Sequence, residues 1–209
     1  MLSKQNGRRA PKSHVITAVH IAVEKMLTGI CEPSLYVPVP RCTGGRVLYV
    51  DFDGVLHPES VYLLHRRGPQ LLDAPGHVLF EHCGLLEEVL LPYADLRIVL
   101  STSWVRCYRG SVRRVSRRLT AWLQARVLGA TYHSAMDPVE FATAPRGMQI
   151  WSDVLRRKPT DWLALDDDYL HWPTWCRDRL VCTDPLLGIS EPAVLADLKA
   201  KLFRMYQKG

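Results

Sequence analysis

The stretch Arg46–Pro58, RVLYVDFDGVLHP, constrains the fold more than any other part of the chain. Val47 to Val50 is a short run of β-branched, aliphatic and aromatic residues, which reads as a buried strand. It runs directly into Asp51, Phe52, Asp53 and Gly54. Two residues along an extended backbone return a side chain to the same face, so Asp51 and Asp53 are expected to project together. Neighbouring carboxylates repel and raise each other's pKa unless a cation or a proton sits between them. Stability alone offers no reason for such a pair, so the stretch reads as a site at a strand end.

The rest of the chain alternates strand-like and helix-like segments. "CGLLEEVLLPYADL" predicts a helix from Leu85 to about Tyr93, and "LRIVLSTSW" a second strand. Val112, Val115, Leu119, Trp122 and Leu123 share one face at helical spacing, which predicts a single amphipathic helix with its arginines on the other side. "RVLGATYHS" is a candidate third strand, "GMQIWSDVLRR" a helix, "DWLALDDD" a fourth strand and "RLVCTDP" a fifth. "EPAVLADLKAKLFRMY" closes as a helix with Glu191 and Pro192 at its start. Glu59–His82, broken by Gly68, Pro69, Pro75 and Gly76, reads as a hairpin or flap. Strands alternating with helices imply an α/β fold with three layers, a Rossmannoid whose central, mainly parallel sheet is covered on both faces. Ligands bind beyond the carboxyl ends of such strands. Three strand ends here are polar: Asp51/Asp53, Ser101/Thr102/Ser103 and Asp166/Asp167/Asp168.

Residues 45–209 form the main domain on this reading, and residues 1–44 a basic extension. Within the extension, His14–Leu27 is a helix or, given its Val, Ile and Thr content, a strand. Residues 1–46 carry seven Lys/Arg against Glu24 and Glu32. A second basic cluster, Arg106, Arg109, Arg113, Arg114, Arg117, Arg118 and Arg126, has no acidic residue within it. Such clusters attract phosphate-bearing partners, or simply form a solvated helix face and a basic tail. No window approaches the roughly 18 apolar residues of a membrane helix, and the N-terminus lacks the apolar core of a secretory signal. The six cysteines form no CxxC pair, so reduced thiols and a cytoplasmic location are expected.

"DFDGVL", an apolar strand ending in "STS", and "LALDDD" resemble, in order and placement, the haloacid dehalogenase-like (HAD) superfamily of phosphohydrolases. More narrowly, "DFDGVLHP", "LSTSW", "RGMQIWSDVL" and "LDDD" are similar to the HAD domain of bacterial "Swiss army knife" RNA repair proteins. The resemblance implies that Asp51 is a nucleophile forming an aspartyl-phosphate and that Asp53 is the general acid and base. It implies Mg2+ as cofactor, held by Asp51, the backbone carbonyl of Asp53 and an acid of the last motif, Asp167 or else Asp166. Thr102 matches the second motif's phosphate-binding hydroxyl, with Ser101 and Ser103 as alternatives, and Gly54 completes the first motif beside the substrate. The superfamily's lysine is replaced at the corresponding spot by Arg146, with Lys158 in reserve. Arginine holds its charge and grips phosphate bidentately, so it suits the role. His57 lies close enough to approach a leaving group, or is a structural histidine. Tryptophans 104, 151, 162, 172 and 175 read as core or flap, although an aromatic in "YLHWPTWC" could stack on a base.

The intervals between motifs must also hold core elements, leaving room for a flap but not for a large cap domain. An open rim beside arginines suits a phosphorylated polymer, including RNA or DNA ends. The leading expectation is a Mg-dependent phosphomonoesterase. A nucleotide or small-molecule phosphatase with the same mechanism, and a catalytically silent phosphate- or RNA-binding module, are the competing readings.

Overall fold

The computed structural model describes residues 39–64 and 68–207. The expected helix or strand over His14–Leu27, with most of the basic extension, lies outside the described residues. In chain order the strands are β1 (Arg46–Val50), β2 (Val61–Leu64), β3 (Gly68–Leu71), β4 (Arg97–Leu100), β5 (Val127–Ala130), β6 (Asp161–Asp166) and β7 (Leu180–Cys182). The helices are α1 (Cys83–Leu90), α2 (Ser103–Cys107), α3 (Val112–Ser116), α4 (Ala121–Gln124), α5 (Pro138–Thr143), α6 (Arg146–Arg157) and α7 (Pro192–Gln207). Five strands form a wholly parallel sheet in the order β5-β4-β1-β6-β7, and β2 and β3 pair as a separate antiparallel hairpin. The chain runs outward from β1 to β4 and β5, then returns to the other side of β1 with β6. The crevice between β1 and β6 is thus the point where strand order reverses, the usual place for a ligand in such sheets.

Alternation along β1 explains the three layers. Leu48 and Val50 join one core with Ile98, Leu100, Leu163 and Leu165, covered by apolar residues of α1 to α4 and α7. Val47 and Tyr49 face the other way, onto Ile150 and Val154 of α6 and onto Trp172 and Cys176. A central parallel strand buried on both faces needs no polar positions, which is why the sequence reads as a continuous apolar run.

One element differs from the sequence expectation. The single helix expected through Val112–Leu123 is broken into α3 and α4. Thr120 starts a new helix, its Oγ1 accepting from Leu123 N–H at 3.2 Å and donating to Glu87 Oε2. The apolar spacing still does its work, because Val115, Leu119 and Leu123 are all buried. The segment "YLHWPTWC" divides between core and surface: Trp172 and Cys176 are buried beside the 3-10 turn Thr174–Arg179, while Tyr169 and Trp175 are exposed.

A buried ionic cluster pins α6 to the sheet. Asp153, wholly buried, accepts from Tyr49 Oη of β1 at 2.9 Å, from Arg157 Nε at 2.8 Å and from Arg156 at 3.1 Å. Arg157 also donates to Cys42 O at 2.8 Å, tying the segment before β1 to the same cluster. One carboxylate here is shared by two guanidinium groups, so removing it leaves both buried positive charges without an anionic partner. Asp153→Asn is expected to cost about 3–5 kcal/mol, measured by urea denaturation against wild type.

Candidate active site

Register builds the site. Val50 is level with Leu100 of β4 and Leu165 of β6, so the next residue of each strand, Asp51, Ser101 and Asp166, falls side by side at the carboxyl edge. Two further backbone bonds hold that level, Asp51 N–H to Leu165 O at 3.0 Å and Ser101 N–H to Val50 O at 2.9 Å.

Arg146 enters from the opposite side as the first residue of α6. Because α6 runs antiparallel to the strand it precedes, its start lies at the same edge as the strand tips. Its guanidinium donates to Asp51 Oδ2 at 2.8 Å and to the Ser101 carbonyl, and its Nε lies 3.2 Å from Asp166 Oδ2 as an ion pair without hydrogen-bond alignment. Gln149 steadies it by accepting from Arg146 at 3.3 Å while donating to Phe141 O and Ala144 O, both at 2.9 Å. Gly147 allows the helix to start so close to its neighbours: a Cβ there would meet Pro173 Cδ at 2.6 Å and the Trp172 ring at 2.9 Å. Lys158 is elsewhere. It caps the other end of α6 with φ of 52°, a helix length of about 18 Å away, as the residue before Pro159 must leave the helical region.

Thr102 is the N-cap of α2. Its Oγ1 accepts from Trp104 N–H at 3.2 Å, and the hydroxyl is near enough to Asp51 to offset a small part of the rise that burial imposes on that carboxyl. Ser103 begins that helix, and the Ser101 hydroxyl is buried with no partner among the described residues. Asp53 opens the turn after β1, and its carboxylate is engaged separately from the other acids. Its two oxygens accept from Trp104 Nε1–H at 2.9 and 3.0 Å, and Oδ1 lies 3.1 Å from His57 Nε2.

Asp51, Asp166 and Asp167 each offer an oxygen within 4.8 Å of the others; the Asp53 carboxylate is not among them. Burial pushes the Asp51 carboxyl up, Arg146 pulls it back and Asp53 raises it again, with a net rise. Asp166 is raised well above the carboxylate range by burial and then by Asp51, and Asp167 is pushed up to about 7 by the same two causes in that order. Burial alone would lower the Arg146 pKa, but Asp51 and Asp166 outweigh it and hold the guanidinium charged. One guanidinium facing three clustered acids leaves negative charge uncompensated. An all-oxygen donor set with an unsatisfied Asp166 oxygen fits a hard divalent cation such as Mg2+.

Gly54 and Thr183 shape the acidic side. Gly54 has φ of +66°, and a Cβ there would lie 2.4 Å from Asp167 Oδ2. Thr183, buried after β7, donates its hydroxyl to Gly54 O at 2.7 Å. Sequence reading missed Thr183, Gln149 and Phe80, whose backbone N–H reaches His57 Nδ1 at 3.2 Å. Trp104, expected in the core or a flap, is buried, and its indole N–H is aimed at Asp53. Only its position directly after "STS" hinted at that.

The five-stranded parallel sheet with flanking helices is that of a HAD domain. The family whose sequence model matches residues 47–194, more than two thirds of the chain, is described as the HAD domain in Swiss Army Knife RNA repair proteins, and the chain belongs to it. No curated protein and no solved structure matches it significantly.

Two outcomes test the geometry. Gly54→Ala is expected to destabilise the fold by about 1–3 kcal/mol through its left-handed backbone, and to weaken Mg2+ binding by displacing Asp167; thermal melts with and without Mg2+ read both. The acids also set a pH dependence. Asp167 stays protonated to about pH 7 when folded but only to the ordinary aspartate value of about 3.8 when unfolded, so the metal-free fold binds more protons between these limits. The metal-free protein therefore loses stability as pH rises through that window. Mg2+ must displace the same proton, so its affinity should be higher at about pH 8 than at about pH 5.5 by calorimetric titration. Equal affinities would contradict the assignment.

Proposed function

We propose that the protein is a Mg-dependent phosphomonoester hydrolase that works through an aspartyl-phosphate and acts on terminal phosphates of nucleic acid. The observation that carries this reading is the grouping of Asp51 with Arg146, Thr102, Asp166 and Asp167 at the carboxyl edge of the sheet. Asp51 Oδ2 is the nucleophile. As it bonds to phosphorus, the bond from phosphorus to the substrate's ester oxygen breaks, and Asp53 donates a proton to the departing oxygen. In the second half Asp53 takes a proton from water, the water oxygen bonds to phosphorus, and the bond from phosphorus to Asp51 breaks. Inorganic phosphate leaves and both carboxyl groups return to their starting state. Arg146 balances charge on Asp51 and the phosphoryl oxygens, and Thr102 donates to one of those oxygens. Asp51, the Asp53 carbonyl and Asp167 or Asp166 would hold Mg2+, which supplies positive charge against the phosphoryl oxygens when bound.

Two observations favour a polymer end over an enclosed metabolite. Among the described residues the insertion between β1 and α1 contains a two-stranded hairpin and no larger cap. Arg109, Arg113, Arg114, Arg117 and Arg118 are all exposed on the segment that leaves the site from Thr102. A basic surface of this kind binds phosphate backbones without reading sequence. The family's description as RNA repair proteins agrees with such a substrate.

Asp51→Asn should abolish Mg2+-dependent phosphate release from oligonucleotides carrying a 3′- or 5′-phosphate while leaving the circular dichroism spectrum unchanged. Retained turnover would refute the nucleophile, and wild-type protein that binds the oligonucleotides without releasing phosphate would favour a binding module. Reversing Arg113, Arg114, Arg117 and Arg118 to Glu should raise the oligonucleotide KM on the order of tenfold or more, and spare p-nitrophenyl phosphate. Equal effects on both substrates would point to a small-molecule phosphatase.

A further inference from the structure

His57 is completely buried, and both of its ring nitrogens are engaged. Phe80 N–H points at Nδ1 from 3.2 Å. A backbone amide can only donate, so Nδ1 is the unprotonated nitrogen and the ring proton sits on Nε2. Nε2 lies 3.1 Å from Asp53 Oδ1, and its proton is donated there. The indole of Trp104, also able only to donate, reaches both oxygens of the same carboxylate. Asp53 is therefore held by N–H groups from two elements, the turn after β1 and the start of α2.

The amide that sets the His57 tautomer is itself held in an unusual way. Phe80 has φ of 65°, a left-handed conformation uncommon for a bulky residue. Its ring packs edge-on against Phe52, His57 and Trp104, with centroids at 5.1, 4.8 and 5.4 Å. Phe80 lies in the segment joining the β2–β3 hairpin to α1. Three aromatic contacts thus stabilise a backbone conformation whose amide is aimed at one imidazole nitrogen.

We propose that His57, fixed as the Nε2–H tautomer by the Phe80 amide, acts with Trp104 as a pair of positioning residues that orient the Asp53 carboxylate for proton transfer to the leaving group. The proposal rests on the reading of Asp53 as the general acid and base. Oδ1 accepts from both His57 and Trp104, whereas Oδ2 accepts from Trp104 alone. The transferred proton therefore resides on Oδ2, the less engaged oxygen. The His57 ring reaches the site only by its contact with the Asp53 side chain and acts through it.

A role in proton delivery has a signature that a role in packing lacks. p-Nitrophenolate departs without much help from an acid, whereas a ribose alkoxide needs a proton as it leaves. His57→Phe, His57→Gln and Trp104→Phe should be assayed on p-nitrophenyl phosphate and on a 3′-phosphorylated oligonucleotide, with thermal melts to confirm folding. His57→Phe and Trp104→Phe are each expected to lower kcat on the oligonucleotide about tenfold more than on p-nitrophenyl phosphate, a modest part of a general-acid contribution. His57→Gln, which keeps an N–H near Nε2, is expected to recover most of the loss. Should His57→Phe fail to fold, Trp104→Phe and His57→Gln carry the comparison. Equal losses on both esters in a wild type active on both would overturn the positioning role alone. A wild type that hydrolyses neither ester would overturn the phosphatase reading, and the positioning role with it. Long-range 1H–15N spectra of the wild-type histidines give a readout independent of turnover: His57 is expected as Nε2–H, and an Nδ1–H ring would overturn the proposal.

Discussion

The site depends on one contact, the Arg146 guanidinium lodged between Asp51 and Asp166. Three carboxyl groups converge where β1 and β6 end, and Asp51 and Asp166 are almost wholly out of water. Without a cation among them, burial and mutual repulsion would drive these acids toward the protonated state. A protonated Asp51 could not serve as the nucleophile proposed above. Arg146 keeps part of the negative charge in place before any metal arrives, and its own burial is tolerable only because the acids surround it. The remaining imbalance favours a divalent cation over a second fixed arginine. A bound ion can be shared between the carboxylates and an incoming phosphate at once and still keep water in its shell, which a second fixed guanidinium could not do.

How much of this was legible in the sequence follows from which physics leaves a local mark. The strands of the sheet were readable because a buried parallel strand is an uninterrupted apolar run, and its polar tip shows where it stops. Asp51, Thr102 and the acids after β6 were therefore placed at one edge by pattern alone. The choice between Arg146 and Lys158 was left open. Both flank the same helix, and only the helix direction relative to the sheet decides which end reaches the strand tips. The break between α3 and α4 was invisible because Thr120 is satisfied by Glu87, a partner 33 residues away. Phe80 could not have been found: its contribution is a backbone N–H, which every residue but proline owns.

Trp104 shows why burial and function are poor alternatives. Its ring belongs to the main core, packing against Phe52, Phe80 and Tyr108, and a sequence reading that assigns it to the core is right. The same burial fixes its rotamer and so aims the indole N–H at Asp53. His57 combines the two in the same way. In both, the apolar body supplies rigidity and the polar edge supplies direction, and neither would serve if the other were missing.

The position of Arg146 is fixed from a distance by the Asp153 cluster. Asp153 lies seven residues after Arg146 on α6, about 10 Å along the axis at the usual rise. Its partner Tyr49 lies two residues before Asp51 on β1, about 7 Å along the strand. Helix and strand are thus joined twice, once by Tyr49 with Asp153 and once by Asp51 with Arg146. Two ties between the same rigid elements forbid α6 from sliding or rotating over the sheet without breaking one of them. Arg157 extends the anchoring to Cys42 O and, through its own carbonyl, to Gly44 N–H, so the entry to β1 is clamped as well. A cluster with no chemistry of its own therefore holds the guanidinium at hydrogen-bond distance from Asp51. That explains why so costly an arrangement as two buried arginines on one carboxylate sits in the helix that carries Arg146.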